Sequence, residues 1–80
     1  ISEEVEGEVF DIAMRYLSSA EEAIAVKAFS MTAARKICQR YPELANELTP
    51  IIEVLVEQKL SSGILSRGRK ELKILRKLQA

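Results

Sequence analysis

Apolar positions along this chain of 80 residues recur at helical spacing in four blocks, separated by short breaks. In residues 3–17, Val5, Val9, Ile12, Ala13, Tyr16 and Leu17 share one face of a helical wheel, while Glu4, Glu8 and Asp11 line the opposite one. Acidic residues in the first turn suit the positive end of the helix dipole. Gly7 lowers local helicity by up to about 1 kcal/mol relative to alanine, which points to a close helix contact there. Ser18-Ser19 breaks the pattern, and Ser19 to Arg40 then reads as one long helix, with Ser19 and Glu22 at capping-box spacing. Ile24, Val26, Met31, Ala33, Ala34, Ile37 and Cys38 fall on its apolar arc, opposite Glu21, Thr32, Arg35, Lys36 and Gln39.

Tyr41-Pro42 ends that helix, because the residue before a proline is pushed out of the α region, and Pro42 can open the first turn of a third. Leu44, Leu48, Ile51, Ile52, Leu55 and Val56 form its expected buried face. Pro50 interrupts the pattern, so the third helix is expected to bend near Thr49 or to divide into a short and a longer piece. Ser61-Ser62-Gly63 makes the next turn. A fourth helix runs to about Leu78 and buries Ile64, Leu65, Leu72, Ile74, Leu75 and Leu78.

Four helices with short breaks imply two antiparallel hairpins, and internal repetition implies that the hairpins stack. A shift of forty residues pairs Ile12 with Ile52, Tyr16 with Val56, Ile24 with Ile64, Lys27 with Arg67 and Cys38 with Leu78. The fold class read from this is all-α, an α-α superhelix of two stacked hairpins. Repeat one covers about residues 1–40 and repeat two about 41–80, in a single domain.

Composition narrows the function classes. The chain has one cysteine, Cys38, and no histidine, so it carries no internal disulfide, no imidazole base and no zinc-ligand cluster. No catalytic residue, metal or cofactor is expected. No apolar run has the length of a membrane span and no signal peptide is visible, so a soluble, cytoplasmic chain is the default expectation. The zero formal net charge hides a polarity: acidic residues crowd residues 1–22 and basic residues crowd 63–80.

Three constellations stand out. Arg69, Lys70, Lys73, Arg76 and Lys77 form a basic stripe on the last helix, either a solvated face or a surface for an anion such as nucleic-acid phosphate. Glu4, Glu8 and Asp11 form an acidic counterpart, either solvated or facing the basic stripe of another copy. Lys27, Arg67 and Glu71 all fall on apolar arcs. Lys27 must snorkel, find a carboxylate or sit against a packing gap, and Arg67 with Glu71 one turn later reads as a structural ion pair. Phe29, at the edge of the polar side, is a candidate partner contact or packs against the adjoining hairpin.

The segment AIAVKAFSMTAA resembles the second-helix signature of HEAT repeats, Val-Arg-x-x-Ala-x-x-x-Leu, with Lys27, Ser30 and Ala34 as departures. YPEL and GILSRGRKELKILRKL after it resemble the C-terminal repeats of bacterial HEAT-like proteins, although Lys70 stands where a small residue is expected. The resemblance implies a non-enzymatic scaffold or protein-interaction module, and a piece of a longer solenoid, since HEAT arrays usually have more than two repeats. It implies self-association through uncapped repeat ends as well. HEAT-like proteins include alkylpurine DNA glycosylases, so the alternative it raises is nucleic-acid binding of the DNA-repair type through the last helix. Against that alternative stand the absence of tryptophan and of aromatics interleaved with the basic stripe.

Overall fold

The computed structural model describes residues 3–80 and is all-helical apart from its turns. Helix α1 spans Glu3–Ser18, α2 Ile24–Arg40, α3 Ala45–Gln58 and α4 Ser62–Gln79, with a 3₁₀ turn at Pro42–Leu44 leading into α3. The first two residues of the expected repeat one lie outside the described residues.

Each helix boundary has a local cause. Ser61 caps α4 by accepting a hydrogen bond from the Ile64 amide at 3.1 Å. Lys59 closes α3 in the left-handed conformation, φ 50°, the geometry of a helix C-terminus normally given to glycine. The capping box expected at Ser19 does not form. Ser19 Oγ accepts from the Glu21 amide within a turn, and α2 begins only at Ile24, after Ala23 and without a side-chain cap. Pro50 lies inside α3, which stays helical through Thr49, so the division into a short and a longer piece falls at Leu44 rather than at the proline. The ring removes the donor to the Asn46 carbonyl. Nearby, the Asn46 side chain accepts from Gln79 Nε2 at 2.9 Å, and Thr49 Oγ1 donates to Gln79 Oε1 at 3.0 Å, tying α3 to the end of α4.

The two hairpins, α1–α2 and α3–α4, stack with α2 lying along α4 and α1 meeting α3. Leu17, Met31, Leu48, Ile52, Ile64 and Leu75 are fully enclosed between them. Each stabilises the fold by about 1.5–3 kcal/mol relative to exposure. Buried positions recur from one hairpin to the next, but not at one interval. In the first helices buried positions recur thirty-eight residues apart, as Phe10 with Leu48 and Leu17 with Leu55. In the second helices they recur forty-one apart, as Lys27 with Gly68, Ser30 with Glu71, Met31 with Leu72 and Ala34 with Leu75. The structural counterpart of Lys27 is therefore Gly68, and Arg67 is exposed.

Helix α1 is turned relative to expectation. Glu6, Phe10, Ala13 and Leu17 face the core, while Val5, Val9, Ile12 and Tyr16 stay 39–46% exposed. Glycine roles are exchanged too. A Cβ at Gly7 would meet nothing within 4 Å, whereas one at Gly68 would come within 2.5 Å of Val56 Cγ2, where α4 crosses α3. Gly68→Ala is expected to destabilise the chain by about 1–2 kcal/mol, since forced overpacking costs more than the gain in helix propensity. Gly7→Ala gains about 0.5–1 kcal/mol. Urea denaturation of the two variants checks this, and a stabilised Gly68→Ala variant would contradict the close approach.

Candidate functional site: a buried carboxylate seam, two charged layers and an apolar end

Glu71 is the most deeply buried charged residue described, 1% exposed, in the middle of α4. Its partner is not Arg67. Arg35, from α2, donates through Nε to Glu71 Oε2 at 2.6 Å and through Nη2 to Oε1 at 3.4 Å, a forked contact between the repeats. Gln39 Oε1 accepts from Arg35 Nη1 at 2.9 Å and holds the guanidinium in plane. The expected pair fails because Arg67 points out of the seam, where its Nη1 donates to Thr32 Oγ1 at 2.9 Å. Sequence spacing offered only the i,i+4 partner, and the long-range partner outcompetes it by being better aligned and less solvated.

A second buried carboxylate anchors the first hairpin. Glu6 accepts from the Tyr41 hydroxyl at 3.1 Å and pairs with Arg40 at 3.2 Å. Burial, then the hydrogen bond to Glu6, raises the Tyr41 phenol above its ordinary pKa. Cys38 is enclosed, and burial together with Glu47 and Glu43 pushes its thiol up to about 11, the protonated and unreactive form at neutral pH. Among the described residues no three His, Cys, Asp or Glu side chains converge as a metal site would require.

The charge polarity read along the chain is, in space, a polarity between layers. Helix α2 contains no acidic residue, and the one acid of α4, Glu71, is consumed by Arg35. Helix α3 contains no basic residue and α1 only Arg15. The second helices therefore form a basic layer and the first helices an acidic one. Arg69, Lys70, Lys73, Arg76 and Lys77 are all exposed on the basic layer, with Arg76 lent to Glu53 at 3.5 Å. Glu4, Glu8 and Asp11 are exposed on the acidic one.

The two ends of the stack also differ. Beyond α3 and α4 the surface is mixed, with Glu53, Glu57 and Arg76 interspersed among Pro50, Val54, Val56 and Leu72. Beyond α1 and α2 it is apolar. The outward stripe of α1 runs beside Phe29, 75% exposed, and a groove of about 340 Å³ between the two helices is floored by Val9, Phe29, Ala33 and Ile37 and edged by Lys36 and Arg40. The i, i+4, i+7, i+11 spacing of Val5, Val9, Ile12 and Tyr16 is visible in the sequence, but spacing alone does not say which arc of α1 the fold buries.

These observations meet the outcome of comparison with known proteins. A family model described as HEAT repeat domain matches residues 1–76, nearly the whole chain. The chain belongs to the HEAT repeat family. No curated protein and no solved structure matches it. HEAT membership accords with the stacked helical hairpins, and among the described residues no helix is long and apolar enough to cross a membrane. In this HEAT chain the seam between repeats is polar at its centre, and that makes a sharp prediction. Arg35→Ala, which strands Glu71, is expected to cost about 3–5 kcal/mol, and Arg67→Ala less than about 1 kcal/mol. Chemical denaturation measures both, and equal losses would contradict the assignment of Arg35 as the partner.

Proposed function

We propose that this HEAT chain is a non-enzymatic protein-interaction module whose docking surface is the apolar end formed by α1 and α2. The observation that carries the reading is the stripe Val5, Val9, Ile12 and Tyr16 beside the exposed Phe29. Such a continuous apolar face on an otherwise charged small domain marks an interface. The opposite end intersperses Glu53, Glu57 and Arg76 among its apolar residues, so it offers no stripe as continuous as that of α1.

The rims of the apolar face suit a second copy. Glu8 and Asp11 border the stripe on α1, and Lys36 borders it on α2. The Glu6–Arg40 contact and the groove shared by Val9 and Lys36 set Glu8 and Lys36 at similar heights along the helices. A two-fold axis parallel to the helices lays α1 of one copy on α2 of the other and keeps those heights, so Glu8 meets Lys36 twice and Phe29 meets the Ile12–Tyr16 end of the stripe. Mechanistically the rigid hairpin presents preformed surface, and association removes apolar area from water.

A second reading, nucleic-acid binding, is favoured by one observation, the basic layer of α2 and α4 with its acid neutralised. That layer offers Phe29 as its exposed aromatic, which is meagre for stacking bases. Duplex DNA affinity that falls steeply with salt would support this reading.

For the interaction module, light scattering across a concentration series is expected to show a monomer–dimer equilibrium that Val9→Asp abolishes. Lys36→Glu or Glu8→Lys alone weakens the dimer by about tenfold through two rim pairs, and the double reversal restores it. A monomer at all concentrations, or a double reversal as weak as the singles, would contradict this docking geometry.

A further inference from the structure

Arg76 stands in the second hairpin where Arg35 stands in the first. Met31 and Ala34 of α2 recur as Leu72 and Leu75 of α4, forty-one residues on, and at the same interval Arg35 recurs as Arg76. Each arginine follows its buried neighbour, Met31 or Leu72, by one turn on the same helix face. Arg35 leaves α2 toward α4 and finds Glu71. Arg76 leaves α4 toward the outer side of the second hairpin, where it lines a groove of about 480 Å³ between α3 and α4.

What Arg76 meets in that groove is weak. Glu53 of α3 accepts from its Nη2 at 3.5 Å, with side chains 61% and 48% exposed, and such a contact contributes little in water. Val54, Val56 and Leu72 form the apolar part of the groove, and Val54 is exposed. A helix laid over them would take Arg76 out of water. A guanidinium withdrawn from water is tolerated when a carboxylate reaches it in good alignment, which is what Glu71 supplies to Arg35.

We propose that the α3–α4 end docks a helical hairpin of a partner protein, whose helix against α4 presents a glutamate to Arg76. This surface is independent of the one at the α1–α2 end. A second copy of the chain, stacked end to end in the same register, does not supply the acid. Forty-one residues before Glu71 stands Ser30, uncharged and buried. Glu6, which lines the groove at that end, is already held by Tyr41 and Arg40. The rims oppose such stacking as well. Lys36 and Arg40 of α2 would approach Arg69, Lys73 and Arg76, which share one edge of α4 at i, i+4 and i+7. Like charges brought together across an interface select against that partner. The missing acid and the repelling rims leave the place to a hairpin with an acidic second helix.

The test joins a second copy of residues 40–80 to Ala80. This keeps the interval of forty-one and sets a copied Glu71 thirty-six residues beyond Arg76, the separation of the native pair. Urea denaturation of the longer chain is expected to show one cooperative transition, at a higher midpoint than that of the 80-residue chain. Arg76→Ala in the original α4 and Glu71→Gln in the copy each lower that midpoint. Together they cost no more than the worse one alone, a coupling of about tenfold in the unfolding equilibrium. In the 80-residue chain Arg76→Ala leaves the midpoint nearly unchanged, since the pair with Glu53 is exposed. Additive losses, or an appended hairpin that unfolds in a transition of its own, would overturn the docking site. Species larger than a dimer in light scattering of the 80-residue chain would overturn the choice of a partner protein over a second copy.

Discussion

The Arg35–Glu71 contact is the constraint on which the stack depends. A carboxylate in the middle of an apolar helix face is tolerable only if a cation reaches it in good geometry, and that cation lies on the neighbouring repeat. Once α2 and α4 are locked at this point, Met31 meets the Gly68 side of α4, and Val56 and Ile52 of α3 close over the same glycine. Hydrophobic burial supplies most of the free energy, but it is nearly indifferent to sliding one helix along another by a turn. The forked ion pair is not indifferent, and it selects a single register.

Consuming Glu71 also shapes the electrostatics. With its one acid neutralised internally, α4 contributes only basic groups to the surface, and α2 never had an acid to offer. The first helices of both hairpins carry the opposite sign. A chain of zero formal charge thereby becomes a slab with two unlike faces, and its apolar end is bordered by Glu8, Asp11 and Arg15 on α1 and by Lys36 and Arg40 on α2.

Much of the architecture was legible in the sequence, since helical periodicity and turn residues mark four helices and two hairpins on their own. What escaped was the third dimension of each helix. A repeat helix has one apolar arc for its own hairpin and another for whatever stacks against it, and a wheel of α1 does not say which is which. Val5, Val9, Ile12 and Tyr16 made the wider arc, and the narrower one, headed by Phe10 and concealing Glu6, went to the core. The uniform shift of forty residues misled for a related reason. First and second helices repeat at different intervals, so a single offset matched Lys27 to an exposed arginine instead of to Gly68. Arg35 falls on the polar side of α2 in the sequence because local spacing shows partners one turn away and never those thirty-six residues distant.

The central claim is that the two hairpins form one cooperative unit through the seam of α2 and α4 rather than two weakly joined pieces. Native-state hydrogen exchange under mild denaturant measures this directly. The account predicts that amides around Ala34 and Leu72 share the highest protection and exchange only through global unfolding. Exchange of α3 and α4 through a separate, lower-energy opening that leaves α1 and α2 protected would contradict it.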